Sequence, residues 1–409
     1  MTAEQRFELE LPDILADLYP LSAPEYRDEL VQQIAATRQR PAWALPERWI
    51  PMTALALGRS VRPLPWRTIG VVALLVLAIV AIAIVAGSQR RLPPPFGPAA
   101  NGHLVVAEAG DIFLINSESG AKTLAIGGPA TDSQALFSRD GTRIAFFREV
   151  DGVRSLWLAD DHGGAPRALS TAALVDFADP DIDAQDAQIE WSPDGKSILL
   201  TSLVGGIPRP AIVPTDGSAA HIVPLNMRAE SPIWLPNGEV LFRGVPSGYG
   251  LFAVRPDGTG LREIVAPTGA EEWDALFYGP SPDGSEIAYQ WRPTPTSAML
   301  IYVVPASGGT PRAISAVESV LPIWSPDGSW IAFWSDDGTY IVRADGTTPE
   351  RRVAPSKGAF RWTPDSSRLL LFPEPLPNPV LIDPLGGPDQ TLSWTVTELP
   401  DWQRLAPTP

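Results

Sequence analysis

Closely spaced carboxylates mark the stretch of this sequence whose residue types are best suited to chemistry. Asp179, Asp181 and Asp183 alternate along the chain, and Glu190 occupies the twelfth position counted from Asp179. This order matches the ligands of a calcium-binding loop, in which the twelfth residue is a bidentate Glu. Ala184 stands at the sixth position, where such a loop uses Gly for its sharp turn. The sequence leaves two interpretations open, a calcium site formed by these four acidic residues and a solvated acidic loop.

A second acidic stretch, Glu271-Glu272-Trp273-Asp274, combines carboxylates with an aromatic ring. The whole chain carries a formal charge of -16, whereas nucleic-acid contacts need clustered Lys and Arg, so we do not expect nucleic acid as a partner. Charge complementarity favours association with a positive surface. We therefore expect the two acidic stretches to offer a docking face to a basic protein or peptide.

Motifs for catalysis and cofactor binding are absent from the sequence. There is no Cys, no Gly-x-Ser-x-Gly nucleophile elbow and no Gly-x-x-x-x-Gly-Lys phosphate loop. The three histidines, His103, His162 and His221, have neither triad-like nor metal-ligand spacing. We therefore expect no catalytic residue, no cofactor apart from the possible calcium, and no enzymatic activity. An accessory role in a hydrolytic system is an alternative.

A repeated turn provides the framework that must position these residues. From Asn101 onward the chain returns to a five-residue motif of the form aromatic-Ser-Pro-Asp-Gly, and an apolar run follows each copy. Pro fixes φ at the first corner, Asp bonds its own backbone, and Gly takes the positive φ of the turn. The clearest copies are Trp191-Ser192-Pro193-Asp194-Gly195 and Trp324-Ser325-Pro326-Asp327-Gly328, with variants at Phe137, Trp234, Ser281 and Trp362.

The spacing of the turns predicts the architecture. The aromatic position of the motif falls at 137, 191, 234, 280, 324 and 362, with Pro in place of the aromatic at 280. The steps of 54, 43, 46, 44 and 38 residues suit four-stranded propeller blades. Asn101-Gly102 and the strands after it supply a further blade without its first strand, which Trp402 supplies from the other end. The sequence predicts an all-β, seven-bladed β-propeller over residues 101–405, closed by Trp402 packing beside Val105 and Phe113.

An uncharged run separates the propeller from the start of the chain. Residues Ile69 to Ala86 are eighteen consecutive Gly, Ala, Val, Leu and Ile, long enough for a helix to cross a bilayer. The sequence predicts one transmembrane helix over 68–88. Four arginines lie close before it and two directly after it, at 48, 59, 62, 67, 90 and 91. The positive-inside rule therefore predicts a cytoplasmic N-terminus and an extracytoplasmic propeller.

The remaining segments flank the predicted span. Apolar residues at helical spacing predict two short helices within residues 1–67, one from Leu11 to Leu18 and one from Pro24 to Arg38. Two such helices are too little for an independent core. The segment is therefore either a partly ordered cytoplasmic tail or an element that docks on a cytoplasmic protein. Residues 89–100 are Pro-rich and form a stiff linker.

The turns carry a resemblance to a known family. The Trp-Ser-Pro-Asp-Gly turn followed by an Ile-Ala-Phe strand resembles the WD40-like PD40 repeat of TolB-type β-propellers, over about residues 100 to 405. Such propellers serve as protein-binding modules, envelope components and accessory domains of peptidases. The layout of a cytoplasmic segment, one span and an extracytoplasmic domain also resembles bacterial membrane-bound anti-sigma factors. Their zinc-binding His and Cys residues are absent, because no Cys occurs and no His precedes His103.

These observations together predict a single-pass protein of the bacterial cell membrane. Its extracytoplasmic propeller is expected to bind a protein or peptide ligand, and the cytoplasmic segment either signals through a cytoplasmic protein or only anchors the chain. A structural envelope scaffold of the TolB type is the alternative from a different class.

Overall fold

The computed structural model describes the chain from residue 92 to residue 407, apart from short gaps. The described ranges are 92–169, 189–245, 249–268, 277–294, 296–355, 357–373 and 378–407. The chain divides into two units, Met1–Gln89 and Arg90–Pro409, and all described residues belong to the second. The predicted cytoplasmic segment and the predicted span at 68–88 lie outside the described residues. Within the described part, no helix is both long and apolar enough to cross a membrane.

The described residues are all-β and form seven four-stranded antiparallel sheets. The strands of the first half are β1 (Ala100–Glu108), β2 (Asp111–Ile115), β3 (Lys122–Ile126), β4 (Thr131–Phe137), β5 (Arg143–Val150), β6 (Val153–Asp160), β7 (Arg167–Ala168), β8 (Glu190–Trp191), β9 (Ser197–Val204), β10 (Ile207–Pro214), β11 (His221–Ile222), β12 (Arg228–Trp234), β13 (Val240–Val245), β14 (Tyr249–Val254) and β15 (Arg262–Thr268). Those of the second half are β16 (Tyr278–Pro280), β17 (Glu286–Trp291), β18 (Leu300–Pro305), β19 (Arg312–Ala313), β20 (Val320–Trp324), β21 (Trp330–Ser335), β22 (Gly338–Arg343), β23 (Arg351–Ala354), β24 (Gly358–Trp362), β25 (Leu369–Pro373), β26 (Val380–Ile382), β27 (Gln390–Thr391) and β28 (Asp401–Leu405).

Each sheet is one blade of a propeller, and the order of pairing within it follows the chain. Blades 1 to 6 are β4–β7, β8–β11, β12–β15, β16–β19, β20–β23 and β24–β27, and blade 7 has the order β28-β1-β2-β3. The seven-bladed propeller expected from the turn spacing is therefore confirmed.

The repeated turn joins the first and second strands of a blade, and its chemistry explains why it recurs. In blade 2 the Ser192 hydroxyl donates to Asp194 Oδ1 at 2.7 Å and accepts the Ser197 N–H at 3.0 Å. Gly195 has φ of 67°, which a residue with a side chain rarely adopts, and its N–H donates to the Ser192 carbonyl. The turn therefore satisfies its own polar groups before the second strand begins.

Closure of the ring occurs between the two ends of the propeller. Strand β28 pairs antiparallel with β1, and the register places Trp402 opposite Leu104 and Asp401 opposite Val105. Val105 in turn lies opposite Leu114, next to Phe113. The predicted position of Trp402 is confirmed. Blade 7 is the blade whose first strand is held by hydrogen bonds and packing alone, with no turn leading to the second.

The core lies between neighbouring blades rather than in the middle of the ring. Buried side chains from one sheet pack against those of the next, as between Phe147 in blade 1 and Trp191 in blade 2. The motif Trp adds a polar tie to the previous blade. Trp324 donates its indole N–H to the Gly279 carbonyl, and Trp362 donates to the Ile323 carbonyl, each at 3.1 Å. This explains why the repeat favours Trp over other aromatic residues.

Candidate functional site

A central cavity of about 790 Å³ is the candidate site. The first strand of every blade contributes to its wall, namely β4, β8, β12, β16, β20, β24 and β28. Its volume falls in the range of about 300 to 1,000 Å³ that is usual for ligand pockets. The residues just before and just after the motif aromatic of each blade therefore decide what the cavity can bind.

The residue before the motif aromatic differs from blade to blade. In blades 1 to 7 this position holds Leu136, Glu190, Ile233, Gly279, Ile323, Arg361 and Asp401. The charged members come from blades 2, 6 and 7, and the described residues place apolar side chains or Gly at this position in blades 3, 4 and 5. The wall thus has a charged half, formed by blades 6, 7, 1 and 2, and an apolar half, formed by blades 3, 4 and 5.

Glu190 lies in the charged half and uses both carboxylate oxygens. Oε1 accepts a hydrogen bond from Arg139 Nη2 at 2.6 Å, and Oε2 accepts the backbone N–H of Trp234 at 2.7 Å. Arg139 also donates from Nε to the Trp191 carbonyl at 3.0 Å. This ion pair therefore joins three consecutive blades at the cavity wall.

Asp401 repeats the same arrangement on the other side of the charged half. Its Oδ2 accepts the backbone N–H of Phe137 at 2.9 Å, and Oδ1 accepts a hydrogen bond from Arg361. Glu190 and Asp401 occupy equivalent positions in their blades, and each accepts the N–H of the motif aromatic in the next blade. An acidic residue at this position therefore satisfies a donor on an unpaired strand edge.

Arg139 and Arg404 replace the Pro of the turn motif. Phe137-Ser138-Arg139-Asp140-Gly141 carries Arg where other copies have Pro, and Arg404 stands two residues after Trp402 in the same place. Both line the cavity. Arg404 Nη2 donates to the carbonyls of Pro94 and Gly97, at 2.9 and 2.7 Å.

The end of the linker lies against the turn end of the cavity. The Phe96 ring lies 4.1 Å from the Arg139 guanidinium carbon, in cation–π contact, and the Ala99 N–H donates to the Pro364 carbonyl. Because Arg404 also bonds Pro94 and Gly97, residues 94–99 contact blades 1, 6 and 7.

Burial shifts the ionisation of the charged half. Desolvation raises the pKa of Glu190 and of Asp401, although Arg139 and Arg361 oppose the change. The pKa of Arg404 is lowered to about 10, mainly by desolvation and to a smaller extent by the positive charge of Arg139. Three guanidinium groups, from Arg139, Arg361 and Arg404, thus share the cavity wall with two carboxylates.

Several donors in this region have no hydrogen-bond partner among the described residues. They are Arg361 Nε, Arg404 Nε and Trp402 Nε1, and all three atoms are shielded from solvent. Trp402 as a whole is only 6% exposed. The equivalent indoles of Trp324 and Trp362 do find a carbonyl in the previous blade. Buried donors without partners are rare in proteins, and they are not confined to the charged half, since the motif indole of Trp234 in blade 3 also lacks one.

A bulge interrupts the first strand of three blades, two of which belong to the apolar half. In blades 1, 3 and 5 the pairing of the first strand with the second is irregular three residues before the motif aromatic. Gln134, Ser231 and Leu321 occupy this position with φ of 52°, 47° and 59°. Positive φ in residues other than Gly is strained and is concentrated at functional sites in proteins. Ser231 and Leu321 line the cavity.

Of the predicted calcium ligands, Glu190 alone belongs to the described residues. Asp179, Asp181 and Asp183 lie outside them, as does the acidic stretch 271–274. Each oxygen of Glu190 already accepts one hydrogen bond, so a metal ion bound here would share this carboxylate with Arg139 and Trp234. The calcium site stays a prediction.

The three histidines do not line the cavity. His162 contacts Asp161 at 2.9 Å, and with Asp160 these residues form the one group of three possible metal ligands within the described ranges. Asp160 already accepts the N–H groups of His162 and Gly164. The group is therefore explained as a turn at the end of β6.

Sequence reasoning missed the charged half, although a signal for it was present. The pattern of the repeat makes Pro the expected residue at the positions of Arg139 and Arg404, and an apolar residue the expected one before the motif aromatic. A residue that differs from the repeat at an equivalent position is one that the fold does not require. The regular copies of the repeat give the number of blades, and its exceptions mark charged residues of the cavity wall.

Comparison with known proteins identifies the fold. No family model and no curated protein matches the sequence. Among solved structures, an oligogalacturonate lyase in complex with manganese is 15% identical, with a TM-score of 0.53 over 72% of this chain and 93% of that one. A prolyl endopeptidase is 13% identical, with a TM-score of 0.52 over 73% of this chain and 50% of that one. A putative TolB from Agrobacterium tumefaciens is 19% identical, with a TM-score of 0.41 over 57% of this chain and 86% of that one.

The lyase and the endopeptidase are enzymes, but at 15% and 13% identity their similarity speaks for the fold alone. They assign no activity to this chain, and neither membrane anchoring nor a resemblance to anti-sigma factors follows from them. The described part of the chain is an all-β, seven-bladed propeller.

Proposed function

We propose that this chain is a single-pass membrane protein whose extracytoplasmic propeller binds a protein or peptide in its central cavity. The observation that supports this most directly is the wall of the cavity, where ion pairs in one half face apolar side chains in the other. A peptide presents the same combination, since it carries charged termini, polar amides and apolar side chains. Concave sites with a few placed polar groups on an apolar wall are the usual form of a binding pocket.

A site-specific crosslinker tests the binding of a peptide or protein. A photoreactive phenylalanine analogue at Phe277, which lines the cavity, should capture a peptide or protein from native membranes. The matched control places it at Leu385, which is 79% exposed and does not line the cavity. Capture at Phe277 should disappear when Ile323→Glu adds a charge to the apolar half. Equal capture at both sites would contradict binding in the cavity.

The membrane part of the proposal is supported by the apolar run at 68–88. A reporter that is active only outside the cytoplasm should work when fused after Pro409 and fail when fused before Met1. The opposite result would reverse the topology.

If the cytoplasmic segment signals, deletion of residues 1–60 should abolish an output and leave capture at Phe277 intact. A silent deletion would favour an envelope scaffold.

One comparison favours a second candidate, an accessory propeller of a hydrolytic system. The propeller aligns with half the length of a prolyl endopeptidase. In that case a peptidase should copurify with the full chain and lose activity when the cavity carries Ile323→Glu. We prefer direct ligand binding, because the charged half has unpartnered donors that a ligand would satisfy.

A further inference from the structure

The charged half of the cavity carries more positive than negative groups. Arg139 is paired with Glu190 and Arg361 with Asp401, which leaves the guanidinium of Arg404 without a carboxylate. Arg404 is partly buried, and a bound anion would balance its charge at the cavity wall. One additional negative charge makes the number of anions equal to the number of cations.

Neutral oxygens from the linker already occupy part of the space around Arg404. The carbonyls of Pro94 and Gly97 both accept hydrogen bonds from its Nη2. Carbonyl oxygens are weaker acceptors for a guanidinium than carboxylate oxygens are. The contact shows that two acceptor oxygens can approach this group from the cavity mouth.

Trp402, on the same strand as Arg404, also has a donor without an acceptor, as does the equivalent Trp234 in the apolar half. The indole N–H of Trp402 has no partner although the residue is more than nine-tenths buried and lines the cavity. The Nε atoms of Arg361 and Arg404 lack partners as well. These three donors lie on the neighbouring strands β24 and β28, and because their atoms are shielded from solvent, a bound anion would reach them only if the groups around them shift.

We propose that the charged half binds the free α-carboxylate of a peptide, held by Arg404 beside Arg139, while the apolar half receives the side chains of the last residues. This inference rests on the proposed function and names its ligand class. A carboxylate supplies a single charge and two coplanar oxygens, which suit the fork of a guanidinium. A phosphate group carries close to two charges and would leave the cavity wall negative.

The apolar half explains why a peptide fits better than a small acid. The other half of the cavity wall presents the apolar side chains of Ile233, Ile323 and Phe277. A ligand that is anionic at one end and apolar next to it would satisfy both halves. Capture of a C-terminal carboxylate is a recurring way in which proteins recognise peptides.

The test uses the full chain in detergent and a random, N-acetylated tetrapeptide library in two forms. One library ends in a free carboxylate and the other in a carboxamide, and bound peptides are counted by mass spectrometry after gel filtration. We expect the acid library to be retained about tenfold more than the amide library, because a charge-assisted bond is lost in the amide. Equal retention would overturn the carboxylate assignment and leave peptide binding intact. No retention of either library would overturn both proposals.

Variants locate the site within the cavity. Arg404→Gln removes the charge but can still donate to a linker carbonyl, so the fold should survive, and retention of the acid library should fall about tenfold. Arg312→Gln is the matched control, because Arg312 pairs with Glu286 on the outer part of blade 4 and should leave retention unchanged. If both variants retain the acid library equally well, the arginines of the cavity do not bind it.

Two further measurements test whether the Arg404 variants fold and whether the bound group is a carboxylate. Arg404→Lys keeps the charge and loses the fork, so it should fold and retain an intermediate amount of the acid library. Acetate at tens of millimolar should displace the bound acid peptides more effectively than inorganic phosphate at the same concentration. Stronger displacement by phosphate would overturn the choice of a carboxylate.

Discussion

The two halves of the cavity wall are built on the same backbone and differ in the chemistry they present. The first strand of each blade carries the motif aromatic, except in blade 4, where Pro280 stands in its place, and a similar turn follows in blades 1 to 6. In blades 3, 4 and 5 the residue before this position is Ile233, Gly279 or Ile323, and a Pro stands two places after it. In blades 6, 7, 1 and 2 the residues before it include Glu190, Arg361 and Asp401. Equivalent positions can therefore be compared directly, with the fold held constant.

The comparison shows that the charged half is poorly explained by stability. Buried ion pairs cost desolvation energy that their attraction often fails to recover, and apolar replacements of similar volume can be neutral or stabilising. Blades 3 to 5 demonstrate that this fold closes well with apolar residues at the same places. The charges are better understood as features of a binding surface.

The first prediction removes β28, which carries Asp401, Trp402 and Arg404. Deletion of residues 397–409 leaves β1 as an open edge in blade 7 and removes the strand that closes the ring. We expect aggregation of the expressed chain rather than a small loss of stability, because unpaired strand edges associate. Gel filtration of the full chain and of the truncated chain in the same detergent measures the effect. A truncated chain that stays monodisperse and melts normally would show that closure does not depend on β28.

The second prediction compares equivalent residues in the two halves. Asp401→Ala leaves the Arg361 guanidinium and the Phe137 N–H without their acceptor, and should cost about 3 kcal/mol of unfolding free energy. Ile323→Ala, at the same position of blade 5, removes part of a half-buried apolar side chain and should cost about 1.5 kcal/mol. Denaturant titration of both variants gives the two values.

A double variant checks the reason for the difference. If the cost of Asp401→Ala comes from an unpaired charge, then adding Arg361→Met should restore part of the lost stability. If the losses of unfolding free energy in the two single variants simply add in the double variant, the two residues act independently.

The extent to which sequence predicted this structure differs between framework and site. The turn motif fixed the number of blades, because Pro, Asp and Gly each have a local steric or hydrogen-bonding reason to be where they are. The partners of Glu190 could not be predicted, because Arg139 and Trp234 lie 51 and 44 residues away in sequence. The spacing of the acidic residues that end at Glu190 suggests a metal ligand. In the structure this carboxylate pairs with Arg139.

The third prediction uses opposite pH dependences in the two halves. Burial raises the pKa of Glu190, so its contribution to stability is full below its unfolded pKa and is lost as pH rises through the folded value. In blade 4, hydrogen bonds from Ser281 and Ser285 lower the pKa of Asp283, so its contribution is present above the unfolded pKa and is lost as pH falls.

Two charge-neutral variants measure these slopes between pH 3 and pH 8. The loss of unfolding free energy in Asp283→Asn should grow as pH rises from about 3, near the ordinary pKa of Asp. The loss in Glu190→Gln should instead shrink as pH rises above about 4.3, the ordinary value for Glu. Parallel curves for the two variants would mean that the cavity carboxylate is not shifted upward by burial.

The last prediction concerns the seam where the apolar half meets the charged half. In the turn of blade 6, Ser366 takes the place of Gly and has φ of 63°. Its hydroxyl accepts the N–H of Asp327 in blade 5 at 2.9 Å. Ser366→Gly relieves backbone strain and loses this bond, each worth about 1 kcal/mol, so the unfolding free energy should change little. Ser366→Ala loses the bond and keeps the strain, and should cost about 1 kcal/mol. Equal stabilities of the Gly and Ala variants would show that the turn holds no strain, and that Ser366 is tolerated there without compensation from the hydrogen bond to blade 5.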